Sequence, residues 1–150
     1  MASKGIFPLL GALLVVSAGA HEAIVTEGAP PAIGPYSQGL RVGDMLHVSG
    51  QIAIDPDDGA VSGDIELQTR RVLEQIRSIV EAAGMALGDV VATTVYLADL
   101  DDFSRMNAVY ARHFPDPAPA RSTVEVSRLP RDARVEISVV AIRRSSSAPP

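Results

Sequence analysis

The sequence predicts an α+β fold, one sheet with two helices on a single face, in the order β-β-α-β-α-β-β. Three observations carry this. Apolar residues alternate with polar ones near both ends of the chain, and recur every third or fourth position in two internal stretches. The connections between these stretches are short and rich in Gly, Pro and Asp. A chain of 150 residues, 47% hydrophobic and 21% charged, makes one domain around one core.

The elements follow in order. "GLRVGDMLHVSGQIAI" reads as two short strands around the tight-turn pair Gly43-Asp44. Leu46, Val48 and Ile52 are expected to face the core, and His47, Ser49 and Gln51 to face away. "DPDDGAVSGD" is a loop of turn formers. From Asp64 the period changes: Ile65, Val72, Leu73, Ile76, Ile79, Val80 and Ala83 mark an amphipathic helix of about five turns. Asp64 is its expected N-cap and Gly84 its stop. "DVVATTVYLADL" is rich in β-branched residues and reads as a buried strand. "DDFSRMNAVYARHF" puts Phe103, Met106, Val109, Tyr110 and Phe114 on one stripe of a second, shorter helix closed by Pro115. Strands around 121–127 and 133–142 follow, joined by "RLPRD". The tail "RRSSSAPP" reads as disordered beyond residue 144.

Composition excludes several functions. Aromatics are 4% with no Trp, and the net charge is −5 with no basic block besides Arg143-Arg144. Such a surface repels phosphate backbones and offers no stacking platform, so nucleic acid is not an expected partner. With no cysteine, disulfides, thiol catalysis and thiolate metal sites are out. His21, His47 and His113 match no metal-ligand spacing. The first twenty residues have a lysine, an apolar run over residues 6–16 and a small-residue site. That is the pattern of a secretory signal cut after Ala20, which implies a periplasmic or secreted protein with a domain over 21–144, the alternative being a cytoplasmic protein with an uncleaved extension. The apolar run is too short to span a bilayer comfortably. No other segment is suited to cross a membrane.

Two helices cover only one face of a sheet. Alternation suggests that the other face carries Arg121, Thr123, Glu125, Glu136 and Ser138 with Val140 and Ile142. That mixture is too apolar for solvent and too polar for a core, and it implies a homo-oligomeric interface with wet pockets. A hairpin of the last two strands about Pro130-Arg131 would set Glu136 opposite Glu125. Glu136 would then lie about 13 Å along from Arg121.

Five blocks carry a resemblance: "AIGPYSQG" (32–39), "VSGQI" (48–52), "TTVYLADLDDFSRMN" (93–107), "PARSTVEV" (119–126) and "VEISVVAIRR" (135–144). In order and spread over residues 24–144, they resemble the RidA family, also called YjgF or reactive-intermediate deaminases. The resemblance implies a chorismate-mutase-like fold and a homotrimer with clefts between neighbouring subunits. It further implies hydrolysis of 2-imino acids or their enamines, of the 2-iminopropanoate and 2-iminobutanoate type, to 2-keto acids and ammonia. No metal or cofactor is implied.

Such hydrolysis needs a grip on the substrate carboxylate, a placed water and a proton donor for the leaving amine. Arg121 matches the family's carboxylate-binding arginine, and a planar guanidinium suits that task because it pairs both carboxylate oxygens at once. Glu136 matches the catalytic glutamate. Flanked by Val135 and Ile137, it is expected to be partly desolvated, which raises a carboxyl pKa and suits it to handle water or a proton. Tyr36 matches a tyrosine lining the cleft. Ser49 and Gly50 match the block presenting a hydroxyl and backbone groups to the ligand. Asn107 matches a family polar residue, with a cap or a helix-packing role open to it as well. Thr123 stands where many relatives have cysteine, so water positioning by its backbone survives while thiol-dependent activity does not. The alternative is a trimeric module that binds small carboxylates without turnover. The arginine would serve either role, whereas only catalysis needs the glutamate.

Overall fold

The structure, a computed structural model, describes residues 21–144. The expected signal segment and the tail from 145 lie outside the described residues. The chain forms strands β1 (Glu22–Ile24), β2 (Gly39–Val42) and β3 (Met45–Ile52), then helix α1 (Ile65–Ala82) and strand β4 (Val90–Leu97). Helix α2 (Phe103–Tyr110) and strands β5 (Ala120–Glu125) and β6 (Val135–Ile142) complete it. The six strands make one sheet in the order β1-β2-β3-β6-β4-β5, with α1 and α2 together on one face. The α+β class and helix placement are as expected. β1 is an addition: three residues are too few to show a period.

Local signals set the ends of α1. Asp64 Oδ1 accepts the Leu67 N–H at 2.9 Å, closing the N-terminus. At the other end Gly84 takes a positive φ of 71°, its N–H donates to the Glu81 carbonyl, and the Met85 N–H donates to Val80. Between the caps Ile65, Val72, Leu73, Ile76, Ile79 and Val80 are fully buried against the sheet. Each contributes roughly 1.5–3 kcal/mol by leaving water. The start of α2 is fixed by a half-buried ion pair, Asp102 Oδ2 accepting from Arg134 Nε at 2.9 Å and Nη2 at 2.7 Å.

Three expectations are corrected. First, β5 and β6 are not a hairpin. β5 runs parallel to β4 at the sheet edge, and β6 lies between β3 and β4, antiparallel to both. The crossover through α2 returns the chain parallel to β4. Residues 126–134 then pass β4, turning through Arg131 and Asp132 at φ 56° and 54°. A strand's own alternation does not encode its neighbour.

Second, Arg121, Thr123 and Glu125 are not on the open face. They pair with Thr93, Val95 and Leu97 of β4, and ladder partners share a face. Val95 and Leu97 are fully buried under the helices. Glu136 and Ser138 pair with Tyr96 and Thr94 and point to the opposite side. Third, Gln51 is buried and Ile52 half-buried, the reverse of simple alternation. The β3–β6 register shifts between Val48 and Gln51, and this bulge at Ser49-Gly50 flips the phase of the strand.

Candidate functional site

The seven residues singled out by sequence fall into two groups on opposite faces of the sheet. Tyr36, Ser49, Gly50 and Glu136 form one, and Arg121, Thr123 and Asn107 the other. Arg121 stands in the row Arg121–Thr93–Val139, and Glu136 in the row Val124–Tyr96–Glu136. The two are thus three residues apart along the strands and two strands across, about 10 Å in each direction. Within one subunit they do not meet.

The glutamate group is built on the β3 bulge. Gly50 packs so closely on Glu136 that a Cβ at position 50 would lie 2.0 Å from Oε1 and 2.8 Å from Cδ. Glu136 is half-buried, and burial raises its carboxyl pKa. Ser49 Oγ donates to the Ser37 carbonyl at 2.6 Å, so its lone pairs remain for a ligand. Tyr36, one residue before Ser37, is 49% exposed on the adjoining loop. Gly50→Ala is expected to displace the Glu136 carboxylate, which hangs on a flexible side chain, while leaving the fold intact. Activity should fall about 10²-fold with an unchanged melting temperature, as an assay beside thermal unfolding will read.

Gln38 is a residue that sequence reasoning missed. It is 3% exposed, its Oε1 accepts the Thr26 N–H, and its Nε2 donates to the carbonyls of Thr26, Ala29 and Pro30. These bonds hold the loop that carries Tyr36. The motif "YSQG" contained the signal, since a glutamine beside an apolar strand has to be satisfied if buried. Gln38→Leu is expected to cost about 2–4 kcal/mol in denaturant unfolding, because the backbone groups it bridges lose their partner.

The arginine group lies under α2. The Arg121 guanidinium carbon is 4.5 Å from the Tyr110 ring centroid and 5.6 Å from that of Phe103. Among the described residues it has no ion-pair partner. Phe103, Asn107 and Tyr110 recur at helical spacing, so Asn107 occupies the stripe of α2 that the two rings define. The apolar stripe expected for the second helix is corrected at one residue: Met106, Val109 and Tyr110 are buried, whereas Phe103 is 37% exposed and flanks the arginine. Thr123 Oγ1 is buried without a hydrogen-bond partner and borders a pocket of about 560 Å³ with Leu100, Asp101, Phe103 and Ser104. Glu125 accepts the Leu100 N–H at 2.8 Å and so shapes the pocket rather than serving a ligand. A larger cavity of about 660 Å³, between residues 27–33, residues 54–59 and α1, holds none of the seven residues.

An arginine without an anion, stacked on aromatic faces beside an unpaired hydroxyl, is a receptor for a small carboxylate. A carboxyl with a raised pKa, packed on Gly50 of the bulge that also carries the Ser49 hydroxyl, can take and return a proton. The chemistry is complete only if the two surfaces meet.

Known proteins bear the same likeness. The family described as Endoribonuclease L-PSP matches residues 26–143. A RutC family protein of Saccharolobus solfataricus is 58% identical over 121 residues, 80% of this chain and 96% of its own. A 2-iminobutanoate/2-iminopropanoate deaminase of Salmonella typhimurium is 52% identical over 124 residues, 81% of this chain and 97% of its own. Among solved structures, Escherichia coli TdcF with bound serine superposes with a TM-score of 0.78 at 42% identity, covering 82% of this chain and 99% of that one.

Proposed function

The chain belongs to the RidA family, and we propose that it hydrolyses reactive 2-imino acids and their enamines to 2-keto acids and ammonia, in clefts that two subunits of a homotrimer build together. The observation that carries this reading is the Arg121 guanidinium, stacked on two rings with its N–H groups unclaimed by any carboxylate among the described residues. Support also comes from the Salmonella relative's name and from the serine bound to TdcF, a molecule whose carboxylate such an arginine fits.

In this reading Arg121 of one subunit clasps the substrate carboxylate. Glu136 of its neighbour accepts a proton from water as the water oxygen bonds to the imine carbon. The C=N π electrons pass to nitrogen, which takes that proton from Glu136 and frees the carboxylate again. The resulting carbinolamine collapses: Glu136 relays the hydroxyl proton, the C–N bond breaks and ammonia leaves. An enamine first gains a proton at its terminal carbon. Ser49 and the Gly50 backbone border the reacting centre, Tyr36 closes the cleft, and Thr123 and Asn107 lie beside the arginine. The secretory-signal pattern of residues 1–20 extends the proposal to a protein exported from the cytoplasm.

An amino-acid oxidase generating 2-iminopropanoate, with semicarbazide trapping it, tests the activity. The chain is expected to suppress semicarbazone formation when added. If trapping is unchanged while 2-ketobutyrate still binds through Arg121, the protein is a carboxylate-binding module and no deaminase.

A further inference from the structure

We propose that the face of the Tyr110 ring, seated by Thr93 and Phe114, is the positioning element that holds the Arg121 guanidinium in a fixed plane with its donors free. The inference deepens the proposed function and rests on Arg121 as the carboxylate grip. A carboxylate that oriented this arginine would occupy the same N–H groups that a substrate needs. A ring face attracts the cation without consuming a donor. Here the guanidinium carbon lies 4.5 Å from the Tyr110 centroid.

The ring is itself fixed from two sides. The Tyr110 hydroxyl and Thr93 Oγ1 are hydrogen-bonded at 2.7 Å, and the rings of Tyr110 and Phe114 are 4.8 Å apart, tilted by 42°. Thr93 is also the ladder partner of Arg121. Arginine, threonine and tyrosine thus close a loop: ladder, hydrogen bond, stacking. Thr93 and Tyr110 are 4% and 5% exposed, so the tie is dry and each hydroxyl satisfies the other. Burial, outweighing the Thr93 bond and the Arg121 charge, pushes the phenol upward, so the ring stays neutral and keeps its attraction for a cation. Phenylalanine would supply the face without the tie, and methionine would fill the space without the face.

The test uses Tyr110→Met and Tyr110→Phe in the full chain. The first readout is ¹⁵N relaxation of the Arg121 Nε–H group, which needs no substrate. The Nε–H is expected to stay ordered in wild type and Tyr110→Phe and to become mobile in Tyr110→Met. KM for 2-iminopropanoate and the Kd for 2-ketobutyrate should rise about 5–30-fold in Tyr110→Met, with kcat and the acid limb of the pH profile unmoved. Tyr110→Phe should change either by less than about threefold. A structural role alone would move stability and kcat together. Equal Nε order in all three proteins, or a Tyr110→Phe as impaired as Tyr110→Met, overturns the proposal. Should Tyr110→Met fail to fold, Tyr110→Leu combined with Thr93→Val removes the ring face without orphaning a hydroxyl. Unchanged Nε order there overturns it equally. A wild type with ordered Nε but neither turnover nor keto-acid binding overturns the deaminase reading and leaves the positioning result standing.

Discussion

Arg121→Ala is expected to lower kcat/KM for 2-iminopropanoate by roughly 10²–10³-fold, with most of the loss in KM, and to abolish 2-ketobutyrate binding in calorimetry. The magnitude follows from the bond type. Two parallel charge-assisted hydrogen bonds to a carboxylate, shielded from water by rings, are each worth about 1.5–3 kcal/mol. Stability should hardly change, because the guanidinium has no ion-pair partner among the described residues to strand. Arg121→Lys should not rescue binding. An ammonium keeps the charge but offers neither the planar fork nor the stacking surface over Tyr110 and Phe103. A lysine variant that binds keto acid like wild type would show that charge alone suffices.

Glu136→Gln is expected to lower kcat by about 10²–10⁴-fold while 2-ketobutyrate binding survives, since the amide can neither take nor return a proton. In the wild type the acid limb of kcat/KM should lie above the ordinary glutamate range, because burial raises this carboxyl and the base form acts. Stability runs the other way. The folded state holds the Glu136 proton more tightly than the unfolded chain does. Its contribution is therefore full below the ordinary glutamate value and is lost as pH rises through the raised one. Glu136→Gln should flatten that fall in denaturant midpoint against pH. Because the residue is half-exposed, the change will be small. A variant that keeps wild-type kcat would remove Glu136 from the chemistry.

Both groups of residues were legible in the sequence, but their arrangement was not. Arg121 and Glu136 could be named because short motifs carried them. The cap at Asp64, the Gly84 stop and the Gly43-Asp44 turn are local, and each formed as its residue type demands. What failed was non-local. Alternation in β5 is compatible with an antiparallel partner in β6 or a parallel one in β4, and only the α2 crossover decides between them. That choice moved Arg121 to the helix face, away from Glu136. The bulge was equally hidden: "VSGQI" contains a glycine, yet nothing in it marks the shift that buries Gln51 and brings Gly50 against Glu136. The aromatic clamp on Arg121 was read as helix core, because Phe103 and Tyr110 fall on an apolar stripe. Gln38 was a motif letter whose bonds require a loop that no periodicity describes.

The separation of Arg121 and Glu136 across the sheet makes the two-subunit cleft the central claim, and mixing inactive variants tests it most directly. Arg121→Ala retains the glutamate half and Glu136→Gln the arginine half. Unfolded together in equal amounts and refolded, they should assemble mixed oligomers in which about a quarter of the clefts pair an intact arginine with a neighbour's intact glutamate. Semicarbazide competition should then show about a quarter of wild-type activity, against near-background rates for each variant refolded alone. Background activity in a mixture proven by mass spectrometry to contain mixed oligomers would contradict the account, because it would place both groups in one subunit's site.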